Sequence, residues 1–296
     1  RIFLTGATGI AGSSILDNLL AHGHDVTCTV RTEQKAQEIA SKGPSAHSIL
    51  FDLNPSTASQ LSQICVGYDA IIHTAFNATE DGTITEEIAT DAFISAARKT
   101  AETKPVSLIT TSGSMVNGST NGPMDEDHDD TSHPLPMVAK RIIFEKKVIN
   151  ATAGNLYGAV LRPVCVYGNS YVHNYIIGCK NSNKIVAVKA NNTNCFVHRE
   201  DLAEMFRIVM ENRACGLFLA SEPEPVHIDD LVEKLSQVLG IQNIERVEDC
   251  SSYINTYGFY LFGQAFNQII VPKRLKDLYG YTARHKFLDW LETQSF

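Results

Sequence analysis

Little in this chain favours a polyanion, a membrane or a metal ion. Lys and Arg number 25 against 33 Asp and Glu, a formal net charge of −8, so the basic excess that nucleic acid and anionic bilayers reward is missing. No apolar run is long enough to span a bilayer. RIFLTGATG opens at Arg1 directly on a strand, without the pattern of a signal peptide. The seven cysteines (Cys28, Cys65, Cys165, Cys179, Cys195, Cys215 and Cys250) are odd in number and nowhere spaced as CxxC or set beside histidine at metal-ligand intervals. The expectation is buried reduced thiols in a cytoplasmic protein. Internal repeats and low-complexity linkers are absent too. What remains is 296 residues, 44% hydrophobic, enough for one large core or a core plus a smaller lobe, with a small molecule as the partner.

The apolar pattern alternates between the two periods. RIFL reads as a strand, TGATGIAG as a tight turn and SSILDNLLAHG as a helix stopped by glycine. DVTCTVR, TEQKAQEIASKG, HSILFDL, TASQLSQICVG and DAIIHTAF repeat strand and helix, followed by a helix near 84–101, the strand VSLITTS, a helix near 137–153 and the strand YGAVLRPVCVYG. Strands that alternate with helices pair in parallel through right-handed crossovers. The predicted fold is therefore α/β, a Rossmann-type doubly wound parallel sheet with a smaller C-terminal substrate lobe. Residues 1–168 form the expected dinucleotide-binding core, with 196–221 returning to it, and 169–195 with 222–296 form the lobe.

A glycine turn between a first strand and helix lets the backbone approach a pyrophosphate at a helix N-terminus. Thr5, Gly6, Thr8, Gly9, Ile10 and Gly12 of TGATGIAG are placed for this, in the full strand, turn and helix context that the motif requires. The end of the second strand reads the adenosine ribose, where a carboxylate suits a 2′-hydroxyl and an arginine a 2′-phosphate. Here Arg31 and Thr32 precede the first carboxylate, Glu33, which favours NADP, with NAD as the alternative.

TGATGIAG, FDL at 51–53, IIHTAF at 71–76, LRPVCVYG at 161–168 and FVHREDLAE at 196–204 stand in order at familiar intervals. With these blocks the chain resembles the extended short-chain dehydrogenase/reductase family, in its atypical, epimerase/dehydratase-like branch. The resemblance implies that Asp52 and Leu53 flank the adenine, that Thr74, Ala75 and Phe76 line the cofactor, and that Pro163 to Val166 lie beside the nicotinamide. It also implies homodimers through the helices near 84–101 and 137–153.

The family's catalytic serine, tyrosine and lysine are not matched. Gly113 stands at the serine position between Ser112 and Ser114, Met137 at the tyrosine and Arg141 at the lysine. A one-residue shift places Pro136 and Lys140 there instead, and no tyrosine in the chain has a lysine four residues later. Methionine transfers no proton, and arginine stays protonated. The remaining candidates for a catalytic contact are Ser112, Ser114, Lys140, Arg141 and Tyr167. Against these stand plain structural readings: serines closing a strand end, Lys140 and Arg141 on a solvated helix face, and Tyr167 as packing. The loop NGPMDEDHDDTSHP (121–134) does not follow the calcium-loop pattern, so it reads as a solvated loop and no metal site is expected. SSYINTYGFYLFGQAF carries aromatics that either fill the lobe's core or line an apolar pocket.

The sequence thus supports an atypical NADP-dependent oxidoreductase of a small carbonyl or conjugated metabolite. Two rivals stand beside it: a non-catalytic NADP-binding sensor, and an enzyme of the same fold repurposed for non-redox isomerisation, cyclisation or elimination.

Overall fold

The computed structural model describes residues 1–76, 80–168, 170–294 and 296. The chain opens with β1 (Ile2–Thr5), buried throughout, and α1 (Ile10–Ala21), which buries Ile15, Leu16 and Leu19 on one face. There follow β2 (Val26–Val30), α2 (Glu33–Ala40), β3 (Ala46–Leu50), α3 (Ala58–Ile64), β4 (Ala70–His73), α4 (Glu80–Ala101), β5 (Val106–Thr111), α5 (Arg141–Asn150) and β6 (Leu156–Pro163). Next come β7 (Cys165–Tyr167), α6 (Tyr171–Ser182), β8 (Ile185–Val188), β9 (Thr193–Asn194) and β10 (Phe196–His198), then α7 (Arg199–Glu211) and β11 (Gly216–Ala220).

Seven strands form one sheet in the order β11-β6-β5-β4-β1-β2-β3. The pairings β1 with β2, β1 with β4, β2 with β3, β4 with β5 and β5 with β6 are all parallel, as the alternation of strand and helix requires. Chain order reverses at β1, which lies between β2 and β4. That is the switch point at whose carboxyl edge such sheets bind ligands.

Two local expectations shift. The helix near 137–153 begins as a 3-10 turn at Pro136–Val138, because Pro136 fixes the entry, and becomes α-helical only from Arg141. The strand YGAVLRPVCVYG divides into β6 and β7 around Pro163 and Val164, since proline supplies no ladder donor.

The chain forms two compact units, residues 1–116, 135–162 and 202–218 in the first, and 117–134, 163–201 and 219–296 in the second. This division differs from the expected boundary at 168 and 169, of which Asn169 lies outside the described residues. The second unit also takes in the acidic loop 117–134. That loop is not simply solvated: Glu126, 5% exposed, accepts backbone N–H bonds from Leu219, Lys273 and Arg274. Its neighbour Asp127 pairs with Lys273 and Arg274. The rest of this unit holds β12 (Val226–His227), α8 (Ile228–Leu239) and β13 (Ile244–Val247), with the pairs β7 and β10, β8 and β13 parallel and β9 and β12 antiparallel. Its core gathers Tyr175, Ile176, Phe196, Ile228, Leu231, Tyr257, Tyr260 and Phe287, so the aromatic segment after Ser251 contributes Tyr257 and Tyr260 to packing. Among the cysteines, burial holds for five, while Cys165 is half-buried and Cys215 exposed.

Within the first unit Arg162 on β6 donates to Glu145 on α5, a buried ion pair at 2% and 7% side-chain exposure. Removing one partner of such a pair strands a charge, whereas removing both does not. Glu145→Ala should therefore cost about 3–5 kcal/mol in urea unfolding, and the double variant Glu145→Met with Arg162→Met much less. A single-variant cost under about 1 kcal/mol would contradict this account.

Candidate active site

At the switch point the turn Thr5–Gly12 is built on close backbone approach. Gly6 has φ +76°, and a β-carbon on it would lie 2.6 Å from Thr74 Oγ1. On Gly12 a β-carbon would lie 2.1 Å from the Gly6 carbonyl oxygen, so no side chain fits there. The Gly9 N–H donates to that same carbonyl at 2.9 Å. Gly9 is the N-cap of α1 with no side-chain cap, and the first turn contains no acidic residue. Among the described residues no side chain caps the leading N–H groups of α1, which stand at a positive dipole end that no carboxylate of the first turn neutralises.

The other predicted cofactor residues divide by place. Thr74 joins the turn, donating from Oγ1 to the Thr5 carbonyl at 2.8 Å. Thr5 itself is turned inward, its hydroxyl 2.6 Å from His73 Nδ1. Thr8 is exposed, while Ile10 and Ala75 are half-buried. Arg31 is exposed just beyond Val30, which pairs with Leu50 of β3, so Asp52 and Leu53 leave the sheet beside it. Pro163 and Val166 belong to the second unit.

The catalytic positions show an arrangement the sequence did not predict. Arg141 is not on a solvated face: it is 8% exposed, and its Nη2 donates to Glu86 Oε1 at 3.0 Å and to the Thr111 carbonyl at 2.6 Å. Phe76 covers the guanidinium, with Cζ 3.9 Å from the ring centroid. Burial pushes the Glu86 carboxyl up against the lowering pull of Arg141. Burial, and then Arg141, push His73 down to about 3, so its imidazole is neutral. Ser112 follows Thr111, is 5% exposed, and its Oγ has no hydrogen-bond partner among the described residues. Ser114 is buried on the 3-10 turn that follows. Lys140 and Met137 are exposed.

Tyr167 lies in the second unit, fully buried among Phe196, His198, Phe287 and Trp290. Its hydroxyl stands beside the Glu222 carboxylate but outside hydrogen-bond geometry, and burial first, then Glu222, raise its pKa far above the ordinary value. That environment is packing, and it disfavours Tyr167 as a proton donor at ordinary pH.

Sequence reasoning missed Glu86 and His73 as members of this cluster. A signal for Glu86 existed, since it falls three, four and seven residues before the buried Ala89, Thr90 and Phe93 on one face of α4. His73 lies within IIHTAF, and nothing in its spacing reveals Arg141.

A parallel sheet with a glycine turn at its switch point, joined to a second compact unit, places this protein among the extended short-chain dehydrogenases/reductases. Residues 2–217 match the NAD dependent epimerase/dehydratase family, and the chain belongs to it. Similar curated proteins include an uncharacterised protein of Schizosaccharomyces pombe, 30% identical over 251 residues, 81% of each chain. Another is the 4-hydroxy-2-methyl-3-oxo-4-farnesyl-3,4-dihydroquinoline-1-oxide ketoreductase of Stigmatella aurantiaca, 28% identical over 57% of this chain and 51% of that one. Among solved structures, MoeE5 in complex with UDP-glucose and NAD superposes with a TM-score of 0.77 at 18% identity, covering 99% and 97% of the two chains. The human epimerase family protein SDR39U1 with NADPH gives 0.75 at 16% identity, covering 99% and 98%. Both confirm the fold. Among the described residues no helix is long and apolar enough to cross a membrane.

Glu222 yields a pH test. Burial, with Asp201 and Glu224, raises its carboxyl from 4.5 to about 7 despite a 2.9 Å bond from the Phe287 N–H. A carboxyl whose pKa is raised by folding holds its proton longer in the folded state, so the stability it confers is full below about 4.5 and is lost as pH rises through about 7. Between those limits the native chain should lose on the order of 3 kcal/mol relative to Glu222→Gln in denaturant titrations. Parallel stability curves for the two proteins would refute the assignment.

Proposed function

We propose that this protein is an NADP(H)-dependent oxidoreductase of a small carbonyl or conjugated metabolite, working without the family's tyrosine. The observation that carries the reading is the cradle at Gly6, Gly9 and Gly12, which a β-carbon would fill, beside a helix N-terminus with no cap and no carboxylate. These residues fit a dinucleotide: the N–H groups of α1 would hold its pyrophosphate, Arg31 its 2′-phosphate, Asp52 and Leu53 its adenine, and Thr74 to Phe76 the stretch beyond. When bound, the nicotinamide supplies or accepts the hydride. The chain's own part is orientation and the hydrogen bond to the substrate oxygen. Ser112 is the candidate for that bond, a buried hydroxyl at the carboxyl end of β5 without a partner among the described residues. Arg141 acts behind it, fixing the Thr111 carbonyl and so the end of the strand. The similarity to a ketoreductase supports the choice of substrate class. A cytoplasmic homodimer is the accompanying proposal for location and assembly.

A second reading, a non-catalytic NADP-binding protein, is favoured by the same cluster, because Met137 carries no proton and Arg141 is already paired and covered.

Calorimetric titration with NADPH, NADP⁺, NADH and NAD⁺ separates these readings from a vestigial site. The phosphorylated pair should bind more tightly, and Arg31→Ala should weaken NADPH by about tenfold, the scale of one lost charge-assisted contact, while leaving NADH unchanged. Gly9→Asp suits the N-cap conformationally but sets a carboxylate against the phosphates, and it should abolish binding. Equal affinity for all four nucleotides would remove the NADP assignment, and no binding would remove both readings.

Turnover provides the next test. With a carbonyl substrate that consumes NADPH, Ser112→Ala should lower kcat about 10²-fold at unchanged NADPH affinity. An unaltered kcat would dismiss Ser112, and tight NADPH binding with no turnover across ketone, aldehyde and enone panels would favour the second reading.

A further inference from the structure

We propose that His198, Glu200 and His285, in the second unit, form a site for a divalent metal ion of the zinc type, with Asp201 as the residue that orients His285. One ligand atom from each of the three side chains lies within 4.8 Å of the others. Metal–ligand bonds of about 2.0–2.1 Å in a tetrahedron put ligand atoms about 3.3 Å apart, so loading needs only a modest inward movement. The separation of His285 Nε2 from Glu200 Oε2 is already 3.7 Å.

The supporting shell is better formed than the site itself. Asp201 is 0% exposed and accepts from His285 Nδ1 at 2.9 Å, from the backbone N–H groups of Arg284 and His285 at 3.1 and 2.9 Å, and from the Tyr281 hydroxyl at 2.8 Å. A buried carboxylate bonded to Nδ1 fixes that proton and leaves the Nε2 lone pair outward, the arrangement that orients histidine ligands at zinc sites. The His198 ring is tilted 30° to that of His285 at 4.0 Å between centroids, and its Nδ1 accepts a long bond, 3.4 Å, from the Glu200 N–H, so ligation through Nε2 moves the ring proton to Nδ1 and gives up that bond. Its Nε2 lies close to Gly168, on which a β-carbon would stand 2.5 Å away, so only glycine leaves room for this ring.

The local charges allow a cation. Glu200 and Asp201 are opposed by Arg199 and Arg284. Arg284 is 67% exposed and Glu200 also 67% exposed, so both can turn, one away from an ion and the other toward it. Two histidines and one carboxylate leave a fourth position for water. The ion would join the start of α7 to the segment around His285, far apart in sequence, and its binding energy would stabilise the second unit.

The test is calorimetric titration of the metal-stripped full chain with Zn²⁺ alone, with thermal unfolding and Co²⁺ absorption in parallel. The expected result is one equivalent bound, a raised Tm, and a visible Co²⁺ band of tetrahedral intensity. Glu200→Gln and His285→Asn should each weaken Zn²⁺ at least tenfold, with circular dichroism and NADPH affinity unchanged. Cys215→Ser, which removes the exposed thiol, should leave binding intact. Absence of stoichiometric binding, binding that survives both ligand variants, or binding lost with Cys215 would each overturn the proposal.

Discussion

At Gly12 a β-carbon would stand 2.1 Å from the carbonyl oxygen of Gly6, and at Gly6 another would stand 2.7 Å from the Ala75 nitrogen. These are backbone collisions that no side-chain movement relieves, so β1 can enter α1 and lie beside β4 only through residues without side chains. The rest of the first unit depends on this. With α1 drawn against the strand, its N-terminus opens at the carboxyl edge of the sheet, where β2 and β4 diverge from β1. The same approach brings Thr74 onto the Thr5 carbonyl and His73 onto the Thr5 hydroxyl. One steric limit therefore fixes both the open N-terminus of α1 and the first member of the polar cluster beneath it.

That cluster explains why an arginine can stand at position 141. A lysine there offers a point charge on a flexible stem, whereas a guanidinium is flat, with several donors in a fixed fork. Arg141 uses this shape three ways: toward Glu86, toward the Thr111 carbonyl, and as a face covered by Phe76. A buried cation also sets the state of its neighbours. It adds to the burial that holds His73 neutral, and it stabilises the charged form of Glu86, whose burial works the other way. Arg141 Nε, Glu86 Oε2 and His73 Nε2 nevertheless remain buried without hydrogen-bond partners among the described residues. Such atoms are costly to leave dry, which suits ordered water within the cluster.

Strand, turn and helix order was legible because the sheet's period-2 and period-3.6 patterns are set by burial, which each residue reports locally. The glycine turn was legible for the same reason, since its constraint acts within eight residues. What the sequence did not disclose was direction. Arg141 sits in a run with Lys140, Lys146 and Lys147, and spacing alone cannot tell the one buried cation from the exposed Lys140 and Lys146. Its partner Glu86 is 55 residues away, and Thr111 is 30. The acidic loop misled in the same manner. Glu126 looks like its neighbours Asp125 and Asp127, yet it is buried where it accepts the backbone N–H groups of Leu219, Lys273 and Arg274.

Three buried carboxylates of the second unit share a task that composition hides. Glu126 takes the N–H groups of Lys273 and Arg274, Asp201 those of Arg284 and His285, and Glu222 that of Phe287. Residues 273–287 contain one short helix, Arg274–Tyr279, and then run without regular structure to the helix Phe287–Thr293. A buried chain without a ladder must satisfy its N–H groups through side chains. Carboxylates suit this best, because each accepts several bonds at once and each bond to an ionised acceptor is stronger than its neutral counterpart. The cost is desolvation, visible in the raised Glu222 carboxyl, which receives one such bond, and reversed at Asp201, whose donors hold its pKa below the usual range. The two residues are alike in exposure, Glu222 at 2% and Asp201 at 0%, so the difference lies in donor number and in the like charges of Asp201 and Glu224 near Glu222.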